Sequence, residues 1–328
     1  MSIVPDKLYE LGGVPVGMAV LQPPEVRWVY SSTSAAPYLN LTKGNLDPAK
    51  LHATIAAAHT ATTSGRNDTV FLTPETHTLT AAVAWSNSNT HLIGMNAPTF
   101  WPRSCHITHT SALSINNMFA VSGSNNYFAN LHFEYAVGAQ AANYTCLYNT
   151  GSGNVYENCW FEGPCDATQG DSTSFALVNV DGGGNLFRGC VFGSTSVKNT
   201  AAALLKLTGS AYRSTFENCI FYFQGDNATA TMIDLTASAA YSGPQFFKSC
   251  QFVNWSDNWA TNGNYLVRTT GGTPENGGLI FDTNCVVVGF TDISAGDTVA
   301  ASPFFFGLQS TAAADGTYSG ILTNAHKT

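Results

Sequence analysis

The chain has 328 residues, only 10% of them charged, with a formal net charge of −8 and 30 glycines. That composition suits one elongated β domain with a long core, and acidity without Lys/Arg clusters argues against nucleic acid or an anionic membrane as partner. No stretch approaches the ~20 apolar residues of a membrane span, and Met1-Ser2-Ile3-Val4-Pro5-Asp6 lacks the basic and apolar regions of a secretion signal, so folding in a reducing host cytoplasm is expected.

Residues 1–26 come first. Pro5, Gly12, Gly13, Pro15, Gly17, Pro23 and Pro24 interrupt the apolar residues Leu8, Tyr9, Leu11, Val14, Val16 and Met18. Such a segment is too broken for regular structure and too apolar to be solvated, so it reads as an extended arm laid on a surface, either a partner's or its own body's. Those six residues are the candidate partner contacts. In residues 27–66, Trp28-Val29-Tyr30 predicts a strand. Asp47 as N-cap and Pro48 at the first position then predict a helix over 49–58 that covers the apolar end of the repeat region beginning near residue 67.

Residues 67–290 carry a repeat. Thr69-Val70-Phe71-Leu72-Thr73-Pro74 opens the first unit, and an aromatic-x-x-Cys-x-apolar hexamer then recurs about every thirty residues. Its copies are Tyr156 to Phe161, Phe187 to Phe192, Phe216 to Phe221, Phe247 to Phe252 and a looser Phe281 to Val287, with Leu131 in the Cys slot of an earlier copy, Phe128 to Phe133. A second apolar segment precedes each hexamer, as at Phe175-Ala176-Leu177-Val178 and Leu204-Leu205-Lys206-Leu207. Turns such as Gly151-Ser152-Gly153-Asn154 lie between. At least two short strands per repeat, with no room for a helix, describe a right-handed parallel β-helix of about seven coils.

In such a stack, equivalent residues form ladders spaced ~4.8 Å apart. The hexamer then predicts two aromatic columns, a column of buried thiols at Cys159, Cys190, Cys219 and Cys250, and a bend at Asn130, Asn158, Gly189, Asn218, Ser249 and Asn284. The remaining slot, Glu157, Arg188, Glu217 and Lys248, should face solvent, and its alternating sign suits neighbouring strands. Cys105, Cys146 and Cys165 have no slot. Residues 291–328, where Pro303-Phe304-Phe305-Phe306 stands out of register, read as a C-terminal cap or oligomer contact.

The order of strand, capping helix, Thr69 to Pro74 and Asn-rich coils resembles the pectate-lyase-like β-helix superfamily. The segment from Trp85 to Thr99 is similar to one in β-helix proteins of tailed bacteriophages. The phage resemblance implies a virion structural protein, and the reading adopted is a capsid decoration protein without enzymatic activity. It would sit on the capsid surface as a homotrimer bound to the major capsid protein or other virion proteins, with no cofactor and no metal.

The alternative is a tailspike-like protein that binds or cleaves a cell-surface glycan. The polygalacturonase-like signatures Asn-Thr-Asp, Asp-Asp, Gly-His-Gly and Arg-Ile-Lys are absent from the chain. The best carboxylate pair, Glu157 and Glu217, stands two coils apart at ~9.6 Å, near the upper limit for inverting hydrolysis. Arg188 between them favours two charged carboxylates, the opposite of what a general acid needs. His106 and His109 point to opposite faces of a strand and make no metal pair. Trp255 and Trp259, in the loop Asn254 to Trp259, are candidates for stacking on a sugar or a protein, the other reading being packing over a coil edge.

Overall fold

Each repeat makes one turn through three parallel sheets rather than two, because the hexamer spans a corner. Its first aromatic lies on sheet I, in strands Tyr127–Ala129, Val155–Glu157, Leu186–Arg188, Thr215–Glu217, Gln245–Lys248 and Leu279–Phe281. Its last aromatic lies on sheet II, in strands His132–Glu134, Trp160–Glu162, Val191–Phe192, Ile220–Gly225 and Gln251–Asn254. The second apolar segment of each repeat forms sheet III, from Asn117–Val121 and Thr145–Asn149 through Ala176–Val180 and Ala203–Leu207 to Tyr265–Thr270. The fold is therefore an all-β, right-handed parallel β-helix.

The computed structural model describes residues 24–31, 47–109, 116–135, 145–194, 196–227, 229–236, 243–256, 265–270 and 279–290, and the backbone of four short outlying strands. Among these the sheets hold 11, 9 and 8 strands, so the coil count differs slightly from the seven expected. Phe304–Phe306 pairs in parallel with Leu279–Phe281, carrying sheet I into the segment read as out of register. Glu10–Leu11 and Val14–Pro15 form a short antiparallel ladder where the sequence pointed to no regular structure.

The corner between sheets I and II is made by backbone sterics. Asn130, Asn158, Gly189, Asn218 and Ser249 have φ between 50° and 59°, the left-handed region that Gly and Asn tolerate best. After it the thiol turns inward. Cys159, Cys190, Cys219 and Cys250 are fully buried, and each Sγ donates to the carbonyl of the aromatic one coil earlier, at 3.6 Å to Phe128, 3.4 Å to Tyr156, 3.3 Å to Phe187 and 3.3 Å to Phe216. Cysteine thus combines a small apolar volume with a weak donor for a buried carbonyl. Cys105 occupies the same column, since His106 pairs with His132 and its thiol donates to Leu72 O at 3.3 Å. The intervening loop hides that register from a sequence reading.

Both aromatic columns are continuous. Phe128, Tyr156, Phe187, Phe216, Phe247 and Phe281 stack with centroids 4.6 to 4.9 Å apart, and Phe133, Phe161, Phe192, Phe221 and Phe252 at 4.4 to 5.3 Å. All are fully buried, worth roughly 1.5–3 kcal/mol each. At the turns between sheets III and I runs a buried amide ladder, in which Asn126, Asn154 and Asn185 Oδ1 accept from the amide one coil earlier at 2.8 Å each.

The capping helix forms later than its sequence signals suggest. Asp47 and Pro48 start only a short 3-10 turn, Pro48–Lys50, because Leu51–His52 then pairs with Trp28 and Val29 as an edge strand. The α-helix is Ile55–Ala61, with Thr54 Oγ1 accepting from Ala57 N as its N-cap. One further short helix, Ala167–Gly170, interrupts the coils where none was expected, capped by Asp166.

Candidate functional site

The ladder Glu157, Arg188, Glu217 and Lys248 lies in register on the outer face of sheet I, as the alternation of sign predicted. Arg188 Nε stands 3.3 Å from Glu217 Oε2, with both side chains well exposed. Glu157 accepts from Tyr127 Oη at 2.9 Å. Beside this ladder, over the corner, runs an open groove of about 350 Å³. Its floor is uncharged and mixed, polar at Asn158, Asn218, Ser249 and Gln251 and apolar at Gly189, Cys219 and Ile220. The corner residues still bond coil to coil, Asn158 N donating to Arg188 O and Asn218 N to Lys248 O at 2.9 Å each, while their side chains line the surface.

The opposite wall comes from the long connection between Thr90–Gly94 and His106–His109. Phe100 lines the groove and is 43% exposed. Its neighbour Trp101, 41% exposed, sets its ring edge on Trp160 at 5.3 Å and Tyr222 at 5.1 Å, bridging residues two coils apart. The coil between them contributes Gly193, where a Cβ would fall 1.8 Å from Tyr222 O, so no side chain fits there. Arg103 lies over the Trp160 ring at 5.4 Å. Burial pushes the Tyr222 hydroxyl up in pKa, and the nearby Glu162 adds to the effect.

A second outward ladder continues from Trp160. His106, His132 and Trp160 stack face to face at 4.3 and 4.2 Å. Each imidazole reaches the carboxylate of the following coil, His106 Nε2 to Glu134 at 2.6 Å and His132 Nε2 to Glu162 at 2.8 Å. The His106 contact holds Glu134 below the usual carboxylate range, while burial lowers His132 against the pull of Glu162. Both carboxylates are matched by an imidazole.

Of the residues proposed from sequence, Trp255 follows sheet II at Asn254 and is 72% exposed, away from the groove lining. Trp259, Leu8, Tyr9, Val16 and Met18 lie outside the described residues; Leu11 and Val14 are seen only as paired backbone. His106 faces outward and His109 inward, as expected for a strand. Sequence reasoning missed Phe100, Trp101, Arg103, Trp160 and Tyr222. The available signal was the surplus length between the Leu92 and Phe128 repeats, filled by Phe100-Trp101-Pro102-Arg103.

No family model and no curated protein matches the chain. Among solved structures it is similar to pectin methylesterase PemA from Erwinia chrysanthemi, at 14% identity and TM-score 0.60, over 93% of this chain and 94% of that one. It is similar to the pectin methylesterase of Aspergillus niger at 16% identity and TM-score 0.57, over 87% and 84% of the two chains. Pectate lyase Pel9A aligns at 15% identity and TM-score 0.52, over 87% and 75%. The shared architecture is the parallel β-helix. At such identities the likeness establishes the fold alone.

The expectation of a protein without enzymatic activity is corrected to this extent: the structures this chain resembles are enzymes, two pectin methylesterases and a pectate lyase. They lend nothing to the phage resemblance of Trp85 to Thr99. That expectation leaned on missing sequence signatures, and short signatures do not survive at the distances over which a β-helix backbone does.

Proposed function

We propose that this protein binds a polysaccharide lengthwise in the groove and acts on it there. The observation that carries this reading is the groove's construction: Phe100 on one wall, Glu157 and Arg188 of the charge ladder on the other, and amides and a hydroxyl between. Aromatic faces stack on the apolar faces of sugar rings, and planar amides pair with ring hydroxyls. A groove running across coils offers these groups at the ~4.8 Å rung spacing, so a linear chain meets the same pattern repeatedly. Of the ladder carboxylates, Glu157 lines the groove, and Glu217 stands two rungs along, paired with the Arg188 that lies between them.

The test is affinity electrophoresis against a panel of plant and bacterial polysaccharides, with reducing-end and methanol release measured on those retained. Retention should fall about tenfold in Phe100→Ala, equivalent to ~1.4 kcal/mol. Release should disappear in Glu157→Gln and Glu217→Gln. A chain retained by no polysaccharide would refute the reading. The decoration role, through residues 1–26 and the major capsid protein, draws on segments outside those described and gains no support from the similar structures.

A further inference from the structure

We infer that the groove selects a neutral glycan, of hexose or N-acetylhexosamine units, over an acidic one; this rests on the polysaccharide reading above. Among the lining residues only Glu157 and Arg188 carry charge, and they are of opposite sign. Arg188 is already matched by Glu217 at 3.3 Å, and with Lys248 the four-rung ladder sums to zero. A polyuronate would bring one carboxylate per sugar into a space whose lining holds one cation, Arg188, already paired with Glu217, while Lys248 stands on the next rung, outside the lining. Arg103 sits on the far side of the aromatic wall, over Trp160 and near Tyr222, where Glu162 is also felt.

The floor points the same way. Asn158, Asn218, Ser249 and Gln251 offer uncharged donors and acceptors, which complement hydroxyl and acetamido groups, and Gly189, Cys219 and Ile220 between them add no charge. A carboxylate moved onto that floor would lose water and gain only neutral hydrogen bonds, which compensate its desolvation poorly. At long range the net charge of −8 repels a polyanion, most strongly at low ionic strength. Phe100 supplies stacking that is indifferent to charge.

The test titrates the full chain with three probes by calorimetry: a cello-oligosaccharide, an N-acetylglucosamine oligomer and polygalacturonate, each at low and high salt. At least one neutral oligomer should bind, with affinity changing less than about twofold between the two salts. Phe100→Ala, at an exposed position where folding is preserved, should weaken it about tenfold. Polygalacturonate binding more tightly than both neutral oligomers, and weakening as salt rises, would overturn the selectivity while leaving the polysaccharide reading intact. Binding of none of the three would overturn both.

Discussion

Replacing Phe187 by Ala removes the ring at the middle of the longer aromatic column. Phe187 is fully buried, stacked on Tyr156 at 4.6 Å and on Phe216 at 4.9 Å, and flanked by Phe192 at 5.7 Å and Phe161 at 6.3 Å. Neither stacked partner can close the gap, because each is held by its own strand in the parallel ladder Tyr156, Phe187, Phe216. The cost should therefore reach the full range for such a truncation, about 3–5 kcal/mol. Phe187→Leu keeps most of the volume and loses the two stacked pairs, each worth about 0.5–1.5 kcal/mol, for a total of about 1–3 kcal/mol. Because a solenoid is a chain of nearest-neighbour interfaces, the weakness falls between two coils. Urea unfolding of Phe187→Ala should then separate into two transitions, each with a smaller dependence on denaturant than the single transition of the parent. A cost below about 1 kcal/mol for Phe187→Ala, or equal costs for Ala and Leu, would refute the view that stacked rings hold successive coils together.

Acid should weaken the fold through His91, whose Nδ1 accepts from Tyr127 N at 3.1 Å and whose burial lowers its pKa from 6.5 to about 4. The neutral ring is the one the folded state prefers, so its contribution is full above pH ~6.5 and is lost as pH falls toward 4, by roughly 3 kcal/mol. Urea midpoints at the two pH values should converge in His91→Gln relative to the parent. Asp68 is buried and accepts from Arg66 twice at 2.7 Å and from the amides of Glu25 and Thr63 at 2.8 Å, tying residues 24–29 to the first coil. Asp68→Asn should cost about 3–5 kcal/mol in thermal or chemical unfolding, since Arg66 loses its buried partner. Arg188→Glu places three carboxylates in successive rungs with Glu157 and Glu217, and should lower stability by about 0.2–1 kcal/mol per neighbour, a loss that added salt reduces.

Period alone determined much of this protein. In a parallel coil the neighbour of a residue lies one repeat away, so columns in space are written as columns in sequence, and the aromatic stacks, the thiol column and the alternating charges of Glu157, Arg188, Glu217 and Lys248 are legible without coordinates. The bend is legible too, because few residues besides Gly and Asn sit comfortably at its positive φ. Contacts that break the period were decided only in three dimensions. Phe100 and Trp101 leave the coil, and Trp101 reaches sideways across two repeats to Tyr222; Cys105 regains the thiol column after an irregular loop; each imidazole of His106 and His132 takes the carboxylate of the coil after its own. These depend on where a loop's reach and a side chain's length end, and neither leaves a fixed spacing to read. The groove belongs to that second class, since its floor is written in the repeat while its aromatic wall is not.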